Sequence, residues 1–266
     1  MYPTTNGIVT LTTDFGVQDL FVGVMKGVIL GINRVATLVD ITHGIPPQDI
    51  PTAALVVDAA SRCFPPGTVH LVVVDPGVGS ERRNIALACR GQYFVAPDNG
   101  VLTAVHADSQ DVAVSLEETV FFRKPISATF HGRDIFAPVA ASLSRGTPLT
   151  SFGPTITDLV HADLPQPTVS PTAIDGQVLM VDHFGNLITN IRGAALEALG
   201  ANLEITIGKE RIMGMQPSYA QAPPQALLAA INSFEVLEIA VNQGNAAERL
   251  QAGAGTPVRV NIPTGG

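Results

Sequence analysis

Charge is scarce in this sequence. Of its 266 residues only 14% are Asp, Glu, Lys or Arg, where a soluble domain ordinarily carries about a quarter. Hydrophobic residues reach 46%, and that balance excludes an intrinsically disordered chain, which needs the opposite one. It also points to surface covered by another subunit. Basic residues are scarce: fifteen against twenty-three acidic, only three of them lysine, with no dense block anywhere. A net charge of −8 leaves no broad basic face for a nucleic acid, so no nucleic-acid partner is expected.

Other absences narrow the class further. Two cysteines, Cys63 and Cys89, cannot build a disulfide scaffold and lack CxxC spacing, so they read as small buried hydrophobes. The longest apolar stretches, such as FVGVMKGVILGI, are broken by Lys26 and fall short of the roughly 20 residues a membrane span needs. The opening MYPTTNG has neither the basic nor the apolar region of a secretory signal, so a cytoplasmic protein without a membrane partner is expected. There is no HxH or HExxH, so a metal-dependent hydrolase has little to stand on and no metal is expected. The triplet DFG occurs without the glycine-rich loop, lysine-bearing strand or HRD loop of a kinase.

What is present alternates. Ile8–Leu11 and Ala36–Ile41 are β-branched runs, and TVHLVVV over Thr68–Val74 is nearly continuous in the way of a strand buried on both faces. Two further short strands follow over Ile85–Cys89 and Tyr93–Ala96. Between them lie an amphipathic stretch from Leu20 to Ile32, a helix from an Asp49 N-cap with Pro51 in its first turn to about Arg62, and a helix over Arg133–Ser144. The pattern predicts an α/β domain, Rossmann-like and layered, with a largely parallel sheet, over residues 1–167. Five prolines between Thr147 and Thr172 read as a linker with little regular structure. The segments GQVLMVD, NLEITIG, FEVLEIAVN and TPVRVNI then predict a smaller, mostly β domain over residues 168–266.

Polar residues gather where strands end, which is where open α/β sheets bind ligands. The first strand is followed by TTDFGVQD (Asp14, Asp19), the second by DITHG (Asp40, His43), and the third by VDPGVGSERR (Asp75, Arg82, Arg83). APDNG (Asp98, Asn99) and TFHGRD (His131, Arg133, Asp134) come later. Each has a plain structural reading. DPGVG is a good turn, HGRD a helix entry with His131 capping and Asp134 at the positive end, and DHFGN a hairpin turn with Phe184 in the core. Their clustering argues for a site.

Taken in order, TDFGVQDLFVGVMKGVI, DITHGI, VDPGVGSERR, APDNGVL, TFHGRDIFAPVAA, VDHFGNLITNI and NSFEVLEIAVN resemble the S-adenosyl-L-methionine hydroxide adenosyltransferases, relatives of the fluorinases and chlorinases. The resemblance runs from about Ile8 to Ile262. It implies attack of water or hydroxide on C5′ of S-adenosylmethionine, giving adenosine and L-methionine, with no cofactor. It also implies a homotrimer with each site between the first domain of one subunit and the second of a neighbour. By motif register it makes Asp75, Arg82 and His131 the water-positioning set, with Arg83 an alternative to Arg82. Asp14 would hold the ribose hydroxyls, and Asp19 and Asp182 the methionine ammonium. Asn186 would contact adenine, Phe184 would wall the pocket and Ser233 would meet the methionine carboxylate.

Two departures bear on the branch. Phe234 stands where the halogenases carry an arginine for that carboxylate, and Asp75 and His131 replace two pocket tyrosines, which favours hydrolysis over halide transfer. A non-catalytic adenosine or adenosylmethionine sensor would share the binding residues but has no use for Asp75, Arg82 and His131 together. Which of Asp75 and His131 takes a proton stays open at this level. The charge fits: the substrate carries an ammonium, a sulfonium and one carboxylate, and the carboxylates named above complement it.

Overall fold

The computed structural model describes residues 3–106 and 110–263. It divides into two compact units, Met1–Leu164 and Pro165–Gly266.

In the first unit β1 (Ile8–Thr13), α1 (Phe21–Ile32), β2 (Thr37–Thr42), α2 (Ile50–Ser61) and β3 (Val69–Val73) alternate. They are followed by β4 (Asn84–Cys89), β5 (Gln92–Pro97), β6 (Val112–Ser115), α3 (Ala137–Ser144) and β7 (Thr155–Ile156). The seven strands form one sheet in the order β2-β1-β3-β5-β4-β6-β7. Pairings among β2, β1, β3 and β5 are parallel; those of β4 with β5 and β6, and of β6 with β7, are antiparallel. The sheet is therefore mixed rather than largely parallel. The cause is local: only Arg90 and Gly91 join β4 to β5, both at positive φ (51° and 74°), and a two-residue turn of that kind permits only an antiparallel hairpin.

Both faces are covered, as the unbroken burial of β3 requires. Val9, Leu11, Val69, Leu71 and Val73 pack with Met25 and Ile29 of α1 and Val139 and Leu143 of α3. The alternate residues Val72, Val74, Ile85 and Leu87 pack with Ala53 and Val57 of α2. The α2 N-terminus is capped as its sequence predicts, Asp49 accepting from Thr52 N–H at 3.0 Å and from its hydroxyl at 2.6 Å. Because the chain steps from β1 to β2 on one side and then crosses to β3 on the other, the strand order reverses at β1 and β3. That reversal opens a crevice at their carboxyl ends, where Asp14 and Asp75 follow.

The proline-rich stretch is more ordered than its composition suggests. Pro154 offers its carbonyl to Ser115 N–H at 2.9 Å, seating β7 beside β6; a proline lacks a donor but keeps its acceptor.

The second unit holds β8 (Thr168–Val169), β9 (Ala173–Val181), β10 (Leu187–Arg192), α4 (Gly193–Leu199), β11 (Glu204–Ile207) and β12 (Glu210–Met213). Then come β13 (Leu227–Ile231), β14 (Val236–Val241), α5 (Ala246–Leu250) and β15 (Pro257–Asn261). One antiparallel sheet runs β12-β11-β15-β9-β10-β14-β13, with β8 beside β9. Its end strands β12 and β13 approach one another, so the sheet curls nearly into a barrel. Ile174, Val178, Leu187, Ile191, Ile205 and Ile239 fill it. Among the described residues no helix is long and apolar enough to cross a membrane.

Candidate active site

Asp75 lies two residues beyond β3, and the PGVGSERR segment turns back from it towards β4. The turn is closed by Val78 N–H to Asp75 C=O at 3.2 Å and Ser80 N–H to Gly77 C=O at 3.1 Å. It brings Arg82 back over Asp75. Arg82 Nε donates to one carboxylate oxygen at 2.6 Å and Nη2 to the other, a bidentate pair. The remaining nitrogen Nη1 donates to Asn84 Oδ1 at 2.5 Å, and the guanidinium lies over the Phe136 ring, 5.5 Å from its centroid. Both partners are almost wholly buried, with side-chain exposures of 5% for Asp75 and 9% for Arg82.

From the opposite side, His131 Nδ1 sits 3.0 Å from Arg82 Nη2. Guanidinium only donates, so Nδ1 accepts, and the neutral imidazole carries its hydrogen on Nε2. Burial, then the neighbouring Arg82 charge, holds the His131 pKa below the ordinary histidine value, against the opposite pull of Asp75 and Asp134. A close approach of two loops makes this meeting possible. Gly79 has φ +80°, and a Cβ there would stand 2.3 Å from the Ala128 carbonyl oxygen.

Arg82, not Arg83, is the arginine at Asp75 and His131. Arg83 turns away to Asp98 at 2.9 Å and Asp158 at 2.7 Å, and Asp98 accepts from Val160 N–H at 2.9 Å. Asn99 holds the Val74 carbonyl at 2.9 Å. APDNG is thus a strut. HGRD is also not the simple helix entry its sequence suggests. His131 makes no capping bond, and Gly132–Phe136 forms a π-helical turn before α3. Asp134 is fully buried and accepts from Arg133, from Arg123 at 3.2 Å and from Ser127 N–H at 2.9 Å. It clamps the loop that carries His131.

At the neighbouring strand end, Asp14 Oδ2 accepts from Gln48 N–H at 2.8 Å, whereas Asp19 is exposed. In the second unit Asp182 organises the β9–β10 turn. Its Oδ1 accepts from the N–H groups of Phe184 (2.9 Å) and Asn186 (2.8 Å), and its Oδ2 from Asn186 Nδ2 (2.9 Å). The hairpin is as expected, but Phe184 is not core: it is 73% exposed. Three backbone and amide donors fix the turn at Asp182, so the ring is free to point out. Ser233 and Phe234 are exposed in the β13–β14 turn.

One pair escaped the sequence reading. Tyr219 donates its hydroxyl at 2.6 Å to the buried Glu238, which raises the phenol pKa to about 12. The signal was a glutamate at an inward position of LEIAV. Among the described residues no group of three or more His, Cys, Asp or Glu is placed to hold a metal ion.

A covered α/β sheet with an Asp–Arg–His relay at its strand ends, followed by a curled antiparallel sheet, belongs among two-unit α/β proteins that gather reactive groups at a strand-order reversal. The chain belongs to the SAM hydroxide adenosyltransferase family: the family's N-terminal domain matches residues 9–153 and its C-terminal domain residues 176–259. It is 40% identical to the (R)-S-adenosyl-L-methionine hydrolase of Salinispora arenicola, over 95% of this chain and 97% of that one. It is 30% identical to the fluorinase of Nocardia brasiliensis, over 97% of this chain and 99% of that one. Its structure is similar to that of an uncharacterized conserved protein from Thermotoga maritima, with TM-score 0.89 and 37% identity, covering 96% of this chain and 99% of the other.

Proposed function

We propose that this chain hydrolyses S-adenosyl-L-methionine, water attacking C5′ to release adenosine and L-methionine. The observation that carries the reading is the Asp75–Arg82–His131 relay, with the Asp75 and Arg82 side chains almost wholly buried, in a chain that is kin to hydrolases by name over nearly its whole length.

The chemistry asks for placement more than force. The sulfonium sulfur leaves as a neutral thioether, so no general acid is needed; what must be supplied is an oriented nucleophile. Neutral His131 presents Nε2–H, which holds the water by donating to its oxygen. Asp75, with lone pairs left beyond its two bonds to Arg82, accepts the water's hydrogen and then its proton. Arg82 fixes both partners and offsets the charge that develops. In-line placement of this kind is worth roughly 7–11 kcal/mol. The proton assignment to Asp75 follows from the tautomer that Arg82 imposes on His131.

Asp14 takes the ribose hydroxyls, since one carboxylate offers an oxygen to each. Asp19 and Asp182 take the ammonium. Asn186, whose amide nitrogen is bound to Asp182, accepts from adenine through its oxygen; Phe184 walls the pocket and Ser233 meets the methionine carboxylate. No metal or cofactor enters the scheme. The parallel part of the first sheet, with its crevice at β1 and β3, is what we read as Rossmann-like. The assembly we propose is a cytoplasmic homotrimer in which the first unit of one subunit and the second unit of a neighbour supply the two halves of each site. The low charged fraction supports covered surface of this kind.

The test is turnover of S-adenosylmethionine followed by chromatography, with and without chelator and with chloride added. Adenosine and methionine under all conditions support the proposal. A 5′-chloro nucleoside, a requirement for added metal, or intact substrate recovered in stoichiometric complex would each replace it.

A further inference from the structure

We propose that His43 is a positioning residue for Asp14, holding the ribose-binding carboxylate through a relay across two strand ends. The inference rests on the reading above that Asp14 takes the ribose diol.

The relay begins with a slip in register. β1 and β2 pair Leu11 with Asp40, but the next pair is Thr12 with Thr42. Ile41 is the additional residue on β2, and a bulge of this kind re-aims the side chains beyond it. Without the slip Thr13 would face Thr42; with it, Thr13 comes level with His43. Their side chains meet at 2.9 Å, His43 Nδ1 to Thr13 Oγ1, and both are buried.

Charge fixes the direction of the relay. His43 Nε2 lies 3.0 Å from Asp40 Oδ1, an ion-pair distance with the N–H direction poorly aligned. A carboxylate only accepts, so Nε2 carries hydrogen, and in the neutral ring Nδ1 takes the Thr13 hydroxyl hydrogen. Thr13 Oγ1 is then free to accept from Phe15 N–H, as it does at 3.2 Å. Lys26 closes the far end on Asp40 Oδ2 at 2.5 Å.

The backbone between these residues belongs to Asp14. Thr13 precedes it and Phe15 follows it, so the hydroxyl brackets it on both sides. Two further bonds bind the same two loops: Gly16 N–H to the His43 carbonyl at 2.8 Å, and Gln48 N–H to Asp14 Oδ2 at 2.8 Å. Gln48 makes its bond from φ +67°, a conformation that costs a non-glycine residue and persists where the surroundings hold it. Asp14 thus stands between residues that His43 engages, Thr13 through its side chain and Gly16 through its carbonyl, and its carboxylate is held by Gln48 N–H. His43 touches no reacting atom in this scheme.

The test compares adenosine with 2′,3′-dideoxyadenosine, which lacks the hydroxyls Asp14 would hold, by calorimetric titration of the full chain. In the wild type adenosine binds the tighter. In His43→Ala that preference shrinks by about tenfold, while the dideoxy ligand binds almost as before. His43→Gln, whose amide oxygen can accept from Thr13, restores part of it. Thr13→Val, close in shape, gives the same loss should His43→Ala fail to fold. In turnover the His43 variants raise KM more than they lower kcat. Equal losses for both ligands in the folded variants, or an unchanged preference, would overturn the positioning role while leaving hydrolysis intact. A wild type that neither binds adenosine nor turns over S-adenosylmethionine would instead bring down the functional reading, and the inference with it.

Discussion

Replacing Gly79 by alanine adds one carbon where the loops carrying Arg82 and His131 meet. That Cβ would stand 2.3 Å from the Ala128 carbonyl oxygen and 3.3 Å from its carbon. Non-bonded carbon and oxygen need roughly another 1 Å of separation, as the distances of favourable packing imply. Neither neighbour is a flexible side chain, so the two loops must part. Arg82 is three residues along one loop and His131 three along the other, and their 3.0 Å contact would open to about 4 Å, outside hydrogen-bond range. A 1 Å misplacement can cost about 10²-fold in rate. The left-handed backbone, φ +80°, adds roughly 1–2 kcal/mol against alanine. The expected result is a folded protein with a lowered melting temperature, and kcat for adenosine release down by about two orders of magnitude. Gly77, whose own Cβ would meet nothing closer than 3.4 Å, is the control, and Gly77→Ala should do far less. Turnover of Gly79→Ala within threefold of wild type, with Arg82 still on His131 in its structure, would refute the argument.

Arg82→Lys keeps the charge but loses the fork that grips Asp75 and His131 together, and should lower kcat by about 10²-fold. Arg83→Lys, which touches only the Asp98–Asp158 strut, should lower thermal stability and leave kcat nearly unchanged; equal rate losses in both would contradict the assignment. Because the His131 pKa is held low and the neutral ring is the working form, the rate should hold down through pH 6.5 and fall only below it. An acid limb above pH 6.5 in kcat would count against that role. His70, buried and stacked on Phe94 at 4.7 Å, has its pKa lowered from 6.5 to about 4 by burial. Its neutral form thus contributes stability that is complete above pH 6.5 and lost as pH falls to 4, about 3 kcal/mol in all. Urea unfolding at both ends of that window checks this, with His70→Gln expected to flatten the dependence.

Much of the first unit was legible because its signals are local. The β3 run, the Asp49 cap with Pro51, and the DPGVG turn each need only near neighbours to be read. The mixed character of the sheet is marked only at Arg90–Gly91, where a two-residue turn forces a hairpin into an otherwise alternating pattern. Among the candidate residues, Asp75, Arg82 and His131 lie far apart in sequence, and no spacing rule joins positions 75, 82 and 131. Only tertiary contact separated Arg82 from Arg83, neighbours with identical side chains and opposite destinations. The plain hairpin reading of DHFGN puts Phe184 in the core because apolar character argues for burial, whereas the Asp182 turn fixes the backbone without asking anything of the ring. Glu238 and Tyr219 are illegible in the sequence for the converse reason, since a charged residue inside a strand pattern makes sense only once its partner is known. The bulge at Ile41 that brings His43 to Thr13 leaves no mark in the sequence at all.

The carbon that water attacks is read from turnover of S-adenosylmethionine in water enriched in heavy oxygen, with mass spectrometry of both products. Attack at C5′ puts one heavy oxygen in the 5′-hydroxyl of adenosine and none in methionine, with no effect of chelator. Heavy oxygen in the methionine fragment, or substrate left intact, would overturn hydrolysis at C5′.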